Sequence, residues 1–273
     1  GDLASYGLPT VKAAELVVKG INAKGGILGR KVELLVEDDA CKPEMAANIA
    51  AKLVSSKVDA VIGHICSGAT KAAIGIYKDA GIIAISPSAT HPELTQSGQY
   101  PNFFRTIAPD DAQARLQVDF AINSLKARRI AVLHDKGDYG KGLAEYARKF
   151  IESSNAAQVV LFEGVTPGAV DYSAVVQKIK GSDADAVIYG GYHPEASSIV
   201  MQMRLHRHYG DPKPRRLRPS AVRTIRAPSL SRSIRVTLDR ISRTVCSCSM
   251  SAGAHIFLVE PSAPNSRSEP ERL

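Results

Sequence analysis

Two short apolar runs, at residues 58–63 and 81–85, flank a segment, 70–79, that reads as an amphipathic helix. Each run ends in a loop of small polar residues: CSGAT at 66–70 and SPSAT at 86–90. The order strand, loop, helix, strand, loop predicts a βαβ unit of a parallel sheet. Parallel sheets bind ligands off the carboxyl ends of their strands. The two Ser/Thr loops fall at that edge, side by side, and form half of a candidate small-molecule site.

The rest of the chain extends the pattern. The opening GDLASYG reads as a loop, and apolar positions from Leu8 to Ile21 recur at helical spacing. Gly25 and Gly26 stop that helix, because glycine accepts the positive φ of a C-terminal cap. Residues 31–36 (KVELLV) predict a strand, closed by Glu37, Asp38 and Asp39, which read as a solvated loop. Pro43 suits the first turn of a helix over 44–55. Residues 102–106 predict a strand, and Ala108-Pro109-Asp110 breaks it. Asp110 is expected to cap a helix running to Lys126. Strands at 128–134, 158–163 and 185–189 then alternate with helices at 141–154 and 171–180 and a helix that starts at 195–204. The chain therefore reads as α/β, with two parallel sheets flanked by helices. Lobe one spans 1–106 and lobe two spans 107–204. Two such halves joined by a short crossing describe a hinged binder with a cleft between its lobes.

Five stretches in order carry a family resemblance: INAKGGILGRKVELLVEDDACKPEMA, IGHICSGAT with IAISPSATHPELT, RIAVLHDKGDYGKGLAE, and DAVIYGGYHPEASSIVMQMR. Together they resemble the periplasmic leucine/isoleucine/valine-binding proteins, the substrate-binding subunits of branched-chain amino-acid ABC transporters. The resemblance covers roughly residues 1–204. It implies a type I periplasmic-binding-protein fold, an aliphatic amino acid as ligand, an ABC permease in the membrane as partner, a monomer, no cofactor and no covalent chemistry. The family begins with a strand and a Gly-rich loop before the point matching Gly1. The chain shows no signal peptide, which fits either a cytosolic protein or one whose signal peptide and first strand lie outside this sequence; the resemblance favours the second, and the periplasm.

An amino-acid ligand needs donors for its carboxylate, best at a helix N-terminus, and acceptors for its ammonium. Ser67 lies where the helix after the first loop begins, and its hydroxyl and N–H suit the carboxylate. Ser88 offers a backbone carbonyl and Thr90 a hydroxyl oxygen to the ammonium, and the Thr90 N–H can join the carboxylate network. Helix capping alone would also explain Ser and Thr at such turns; the resemblance implies the ligand roles of Ser67 and Thr90, and at Ser88 the backbone role. It further implies Tyr139 and Tyr192 as a closing wall from lobe two and Tyr6 from lobe one. An aromatic ring packs on an aliphatic side chain while its hydroxyl stays wet. Cys41 and Cys66 sit in strand-end loops on one side of the sheet, where they are either two buried thiols or a disulfide. The resemblance implies the disulfide, and hence an oxidising compartment. The family also supplies an acidic residue to the ammonium from a loop beyond Arg204. No matching residue exists here, and loss of such a contact costs ~2–5 kcal/mol.

Composition narrows the alternatives. With no Trp and 5 % aromatic residues, a Trp box is excluded. The net charge of +8 belongs entirely to residues 205–273, where 13 Lys and Arg face 5 Asp and Glu, and of the 13 only Lys213 is Lys. In that tail periodicity ends and Arg, Ser and Pro dominate. A frameshift or gene fusion near Arg204 accounts for the switch, and a divergent basic tail, disordered or partner-binding, is the alternative. Cys246 and Cys248 form C-x-C without the second pair a metal site needs. No GxGxxG or P-loop is present, and His64, His134, Asp135 and His193 make no recognisable triad with a nucleophile, so an enzyme is not expected. Three rivals remain: a sensor of the same fold for amides, urea or aromatic acids; a nucleic-acid-associated protein acting through its tail, although nucleic acid is not the expected partner; and a non-functional truncated product.

Overall fold

The computed structural model describes residues 3–210 and 255–258. Its first sheet holds β1 (Ala60–Ile62), β2 (Ile83–Ser86) and β3 (Phe103–Arg105), parallel and in that order. Side chains alternate across a strand, so Val61, Ala84 and Phe103 point to one face and are buried. Helices α2 (Pro43–Ser55) and α3 (Ser67–Asp79) cover that face. They approach closely because Ala46, Ala50, Ala69 and Ala73 carry only a methyl and are fully buried. The opposite face carries Ile62, Ile83, Ile85 and Phe104, which remain 41–62 % exposed.

The second sheet has the order β5-β4-β6-β7: β5 (Gln158–Gly164), β4 (Arg129–His134), β6 (Ala186–Gly190) and β7 (His255–Leu258). The first three are parallel, and β7 runs antiparallel to β6. Both faces of β4 and β6 are buried, which is why they read as unbroken apolar runs. On one face lie α5 (Asp110–Asp119), continued by a π-helical turn (Phe120–Ser124), and α6 (Asp138–Ser154). On the other lie α7 (Ser173–Gly181) and α8 (His193–Gly210). The buried core of the first sheet draws on residues 46–103, and the two cores of the second on 114–199. A four-residue helix, α4 (Glu93–Gln96), lies between β2 and β3.

Several expectations are corrected. The chain opens as helix α1 (Ala4–Ala23), with Tyr6 and Gly7 inside it rather than in a loop, and none of its residues is buried. Residues 31–36 form no strand. The Asn22 side chain takes both backbone groups that a neighbouring strand would use: its Nδ2 donates to the Val32 carbonyl at 2.9 Å, and its Oδ1 accepts the Val32 N–H at 2.8 Å. The acidic run after it is structured. Glu37 pairs with Lys52, and Asp39 pairs with His64. Asp110 does not cap α5; Pro109 occupies the cap position, and the Asp110 carboxylate turns into the protein. Helix α8 runs on to Gly210, beyond the expected break at Leu205. Apart from α8 and β7, the basic tail at 205–273, with Cys246 and Cys248, lies outside the described residues.

Cys41 and Cys66 form a disulfide, with Cα atoms 5.4 Å apart. It joins the turn before α2 to the cap residue of α3. A bridge spanning 25 residues restricts the unfolded chain by about 3 kcal/mol. The double change Cys41→Ser, Cys66→Ser is expected to lower stability by about that amount in denaturant unfolding, and reductant should have the same effect on the parent protein. A second close contact has no such freedom. Gly140, in the first turn of α6, lies so near Gly190, at the end of β6, that a Cβ on either would overlap the other's carbonyl oxygen. Gly190→Ala is expected to cost about 1–3 kcal/mol in the same assay.

Candidate functional site

β1 and β2 end at one edge, and their loops are stitched by hydroxyl groups. Ser86 Oγ donates to the His64 carbonyl at 2.5 Å and accepts the N–H groups of Ser88 (3.2 Å) and Ala89 (2.8 Å). Thr70 Oγ1 donates toward the His64 and Cys66 carbonyls at 3.2 and 3.0 Å. Ser67 Oγ accepts the N–H groups of Thr90 and His91, both at 3.2 Å. Its oxygen is thereby engaged, and its own hydrogen remains available to donate.

Helix α3 starts three residues earlier than the sequence pattern predicts, so Ser67 is its first residue. The cap position belongs to Cys66, which makes no side-chain cap bond because its sulfur is in the disulfide. The N–H groups of Ser67, Gly68 and Ala69 have no intrahelical acceptor. Capping therefore does not explain Ser67. An uncapped helix start beside a free O–H is an arrangement suited to a carboxylate.

Behind the first loop lies a largely buried trio that sequence reading missed. His64 Nδ1 meets Asp39 Oδ2 at 2.5 Å, and His64 Nε2 meets the Tyr77 hydroxyl at 3.0 Å. Burial tends to raise the Asp39 carboxyl, but the His64 hydrogen bond and the Cys41 N–H outweigh it and hold the group below its usual range. Burial and the nearby Asp39 charge push the Tyr77 hydroxyl up to about 12. On the other side of the second loop, Arg105 donates to the His91 carbonyl at 2.9 Å and to the Thr95 hydroxyl. Nothing in the spacing signalled these clamps, since their members are 10 to 25 residues apart.

The second half of the molecule closes over these loops. Helix α6 also starts three residues early, which puts Tyr139 in its first turn, buried. Tyr192 follows β6, and its ring centroid lies 5.4 Å from that of Tyr139 and 5.8 Å from that of Tyr6. Burial raises the hydroxyl pKa of Tyr6, Tyr139 and Tyr192, so all three stay protonated donors at neutral pH. The starts of α3 and α6 face one another: a Cβ on Gly68 would come within 2.9 Å of an Asp138 carboxylate oxygen.

Ser67, Ser88, Thr90, Tyr6, Tyr139 and Tyr192 thus come together, and with Ile65 they line one narrow cavity of about 10 Å³, room for a single water, so an amino acid enters only when the walls move apart. A larger, open groove of about 460 Å³ runs beside β3, between Leu94, Tyr100 and Arg105, and holds none of the six. Among the described residues no group of three side chains is placed to hold a metal ion, and no helix is long and apolar enough to cross a membrane.

A family profile described as periplasmic binding protein matches residues 1–206. The Leu/Ile/Val-binding protein of Escherichia coli strain K12 is 43 % identical over 204 residues, which are 75 % of this chain and 55 % of that protein. An amino acid binding protein of Pseudomonas aeruginosa is 43 % identical over 205 residues, covering 75 % of this chain and 54 % of its own length. The crystal structure of a branched-chain amino acid transporter substrate binding protein from Streptococcus pneumoniae, in complex with isoleucine, superposes with a TM-score of 0.66 at 37 % identity, over 75 % of this chain and 57 % of that one. The chain spans about half the length of the curated relatives it matches. With a matching profile over three quarters of its length and this fold, the chain belongs to the periplasmic binding protein family.

Proposed function

We propose that the protein captures a branched-chain or other aliphatic amino acid in the periplasm and delivers it to the membrane permease of an ABC importer. The observation that carries this reading is the single cavity lined by Ser67, Ser88, Thr90, Tyr6, Tyr139 and Tyr192. Its lining offers both donors and acceptors, as a zwitterion requires. The start of α3, with the Ser67 hydroxyl and the uncapped N–H groups, takes the carboxylate. The Ser88 carbonyl and the Thr90 hydroxyl take the ammonium. Ile65 and the rings of Tyr6 and Tyr192 surround the aliphatic side chain.

Closure follows from where the walls come from. Residues 1–106 supply Tyr6, Ile65, Ser67, Ser88 and Thr90, and residues 107–204 supply Tyr139 and Tyr192. A ligand touching both lobes favours the closed form by its differential contacts, and that form is the one that docks on the permease. The protein performs no covalent step. Relatives named for leucine, isoleucine and valine binding support the ligand class, and the isoleucine complex of the bacterial neighbour supports the mode.

Calorimetric titration with L-leucine, L-isoleucine and L-valine tests the reading. Micromolar or tighter binding is expected, with the three ligands separated by no more than ~1–3 kcal/mol, the worth of one methylene in an apolar pocket. Absence of heat with all three, from protein folded by circular dichroism, would overturn it. Ser67→Ala removes one hydroxyl to a charged group and should weaken leucine binding by about 1.5–3 kcal/mol, roughly 10- to 150-fold in Kd. Parent affinity in that variant would remove Ser67 from the site.

A further inference from the structure

One buried acid serves no purpose yet described. Asp110 has no exposed surface, and neither of its carboxylate oxygens has a hydrogen-bond partner. The Thr90 hydroxyl is likewise buried and without a partner. The two residues are tied at the backbone, where the Asp110 N–H donates to the Thr90 carbonyl at 3.0 Å. Their side chains interact, and the hydroxyl draws the carboxyl toward ionisation without reaching full hydrogen-bond geometry. Thr90 lines the cavity, and the Asp110 charge is felt by the cavity hydroxyls of Tyr139 and Tyr192.

A buried carboxylate with no donor is costly in any fold. Such a group carries no packing advantage over a neutral amide of the same shape. Its retention is explained if a cation arrives. We propose that Asp110 is the counter-charge for the ligand's ammonium group, acting through the Thr90 hydroxyl. This rests on the amino-acid reading of the cavity. When Thr90 donates its one hydrogen to Asp110, its lone pairs can only accept, and the ammonium is the donor that fits. Asp110 is thus a positioning residue, and Thr90 makes the contact.

The consequence is a proton linkage. Burial raises the Asp110 carboxyl to about 7, against the opposing pull of Thr90 and Arg105, with Asp111 adding to the rise. An ammonium beside Thr90 favours the ionised form, so ligand binding expels a proton to solvent. Above pH 7 Asp110 is already ionised and affinity is flat. Below pH 7 a proton must leave first, and affinity falls by up to about tenfold per pH unit. The groups facing Asp110 are Arg105 on β3, Asp111 on α5, Tyr139 and Tyr146 on α6, and Tyr192 after β6. The adjacent His91 is held below its ordinary value, chiefly by burial, and is the group to control for.

The test is calorimetry with L-leucine at pH 8 and pH 6, each in two buffers of different ionisation enthalpy, on the parent protein, Asp110→Asn and His91→Gln. The parent and His91→Gln should bind more weakly at pH 6 and release a proton on binding. Asp110→Asn should bind ~10- to 100-fold more weakly at pH 8, the scale of one charge interaction at short range, and show neither pH dependence nor proton release. Its melting temperature at pH 8 should be equal or higher, because an unpartnered buried charge has been removed. A purely structural Asp110 would instead lower the melting temperature and leave the proton count unchanged. Parent-like affinity and proton release in Asp110→Asn would overturn the inference and leave the amino-acid reading standing. A parent protein that binds leucine at pH 6 without releasing a proton overturns it with no variant needed. Failure of the parent to bind leucine at either pH would instead overturn the amino-acid reading itself, and this inference with it.

Discussion

Everything at the cavity depends on two loops that no β-ladder holds together. β1 and β2 are paired along their length, but beyond Ile62 and Ser86 the chain leaves the sheet. The backbone groups there must find partners or water. Ser86, Thr70 and Ser67 provide them, each bridging from one short segment to the next. Hydroxyls suit this task because one oxygen both donates and accepts.

Around that stitching the structure adds stiffness from several sides. The disulfide fixes the start of α3 to the turn before α2. The Asp39–His64–Tyr77 trio supports the first loop from within, and Arg105 grips the second. Opposite them, the close meeting of Gly140 and Gly190 brings α6 down against the end of β6, which sets Tyr139 and Tyr192 side by side. Preorganised polar groups of this kind lose little on binding, so more of each contact appears as affinity.

The structure departs from good packing in two places of different meaning. One is the outer face of the first sheet, where Ile62, Ile83, Ile85 and Phe104 are exposed alongside an α1 with no buried residue. The described residues supply nothing to cover it. The other is Asp110, buried and without a donor beside a polar cavity. An uncovered apolar face is a matter of stability and association. A buried acid next to a polar cavity is a different matter, because groups of that kind commonly mark function.

The architecture was legible in the sequence because periodicity is a local property. Short apolar runs and helical spacing gave six of the seven strands in the two sheets and every long helix, with ends shifted by a few residues. The six cavity residues came from the family resemblance and from strand-end position, since parallel strands deliver their loops to one edge by topology alone. Sequence reading went wrong where a side chain competes with a strand, as Asn22 does for Val32, and where a cap position is decided by one φ/ψ value, as at Pro109 and Asp110. It could not reach the His64 trio, the Arg105 clamp or the isolation of Asp110. Those depend on distances between residues far apart in the chain, and on the absence of a donor, which only packing can create. Sequence alone thus determined that this chain makes two α/β sheets, parallel except for β7, with polar loops at their edges. Tertiary structure decided how those loops are bound together and which buried acid was left without a donor.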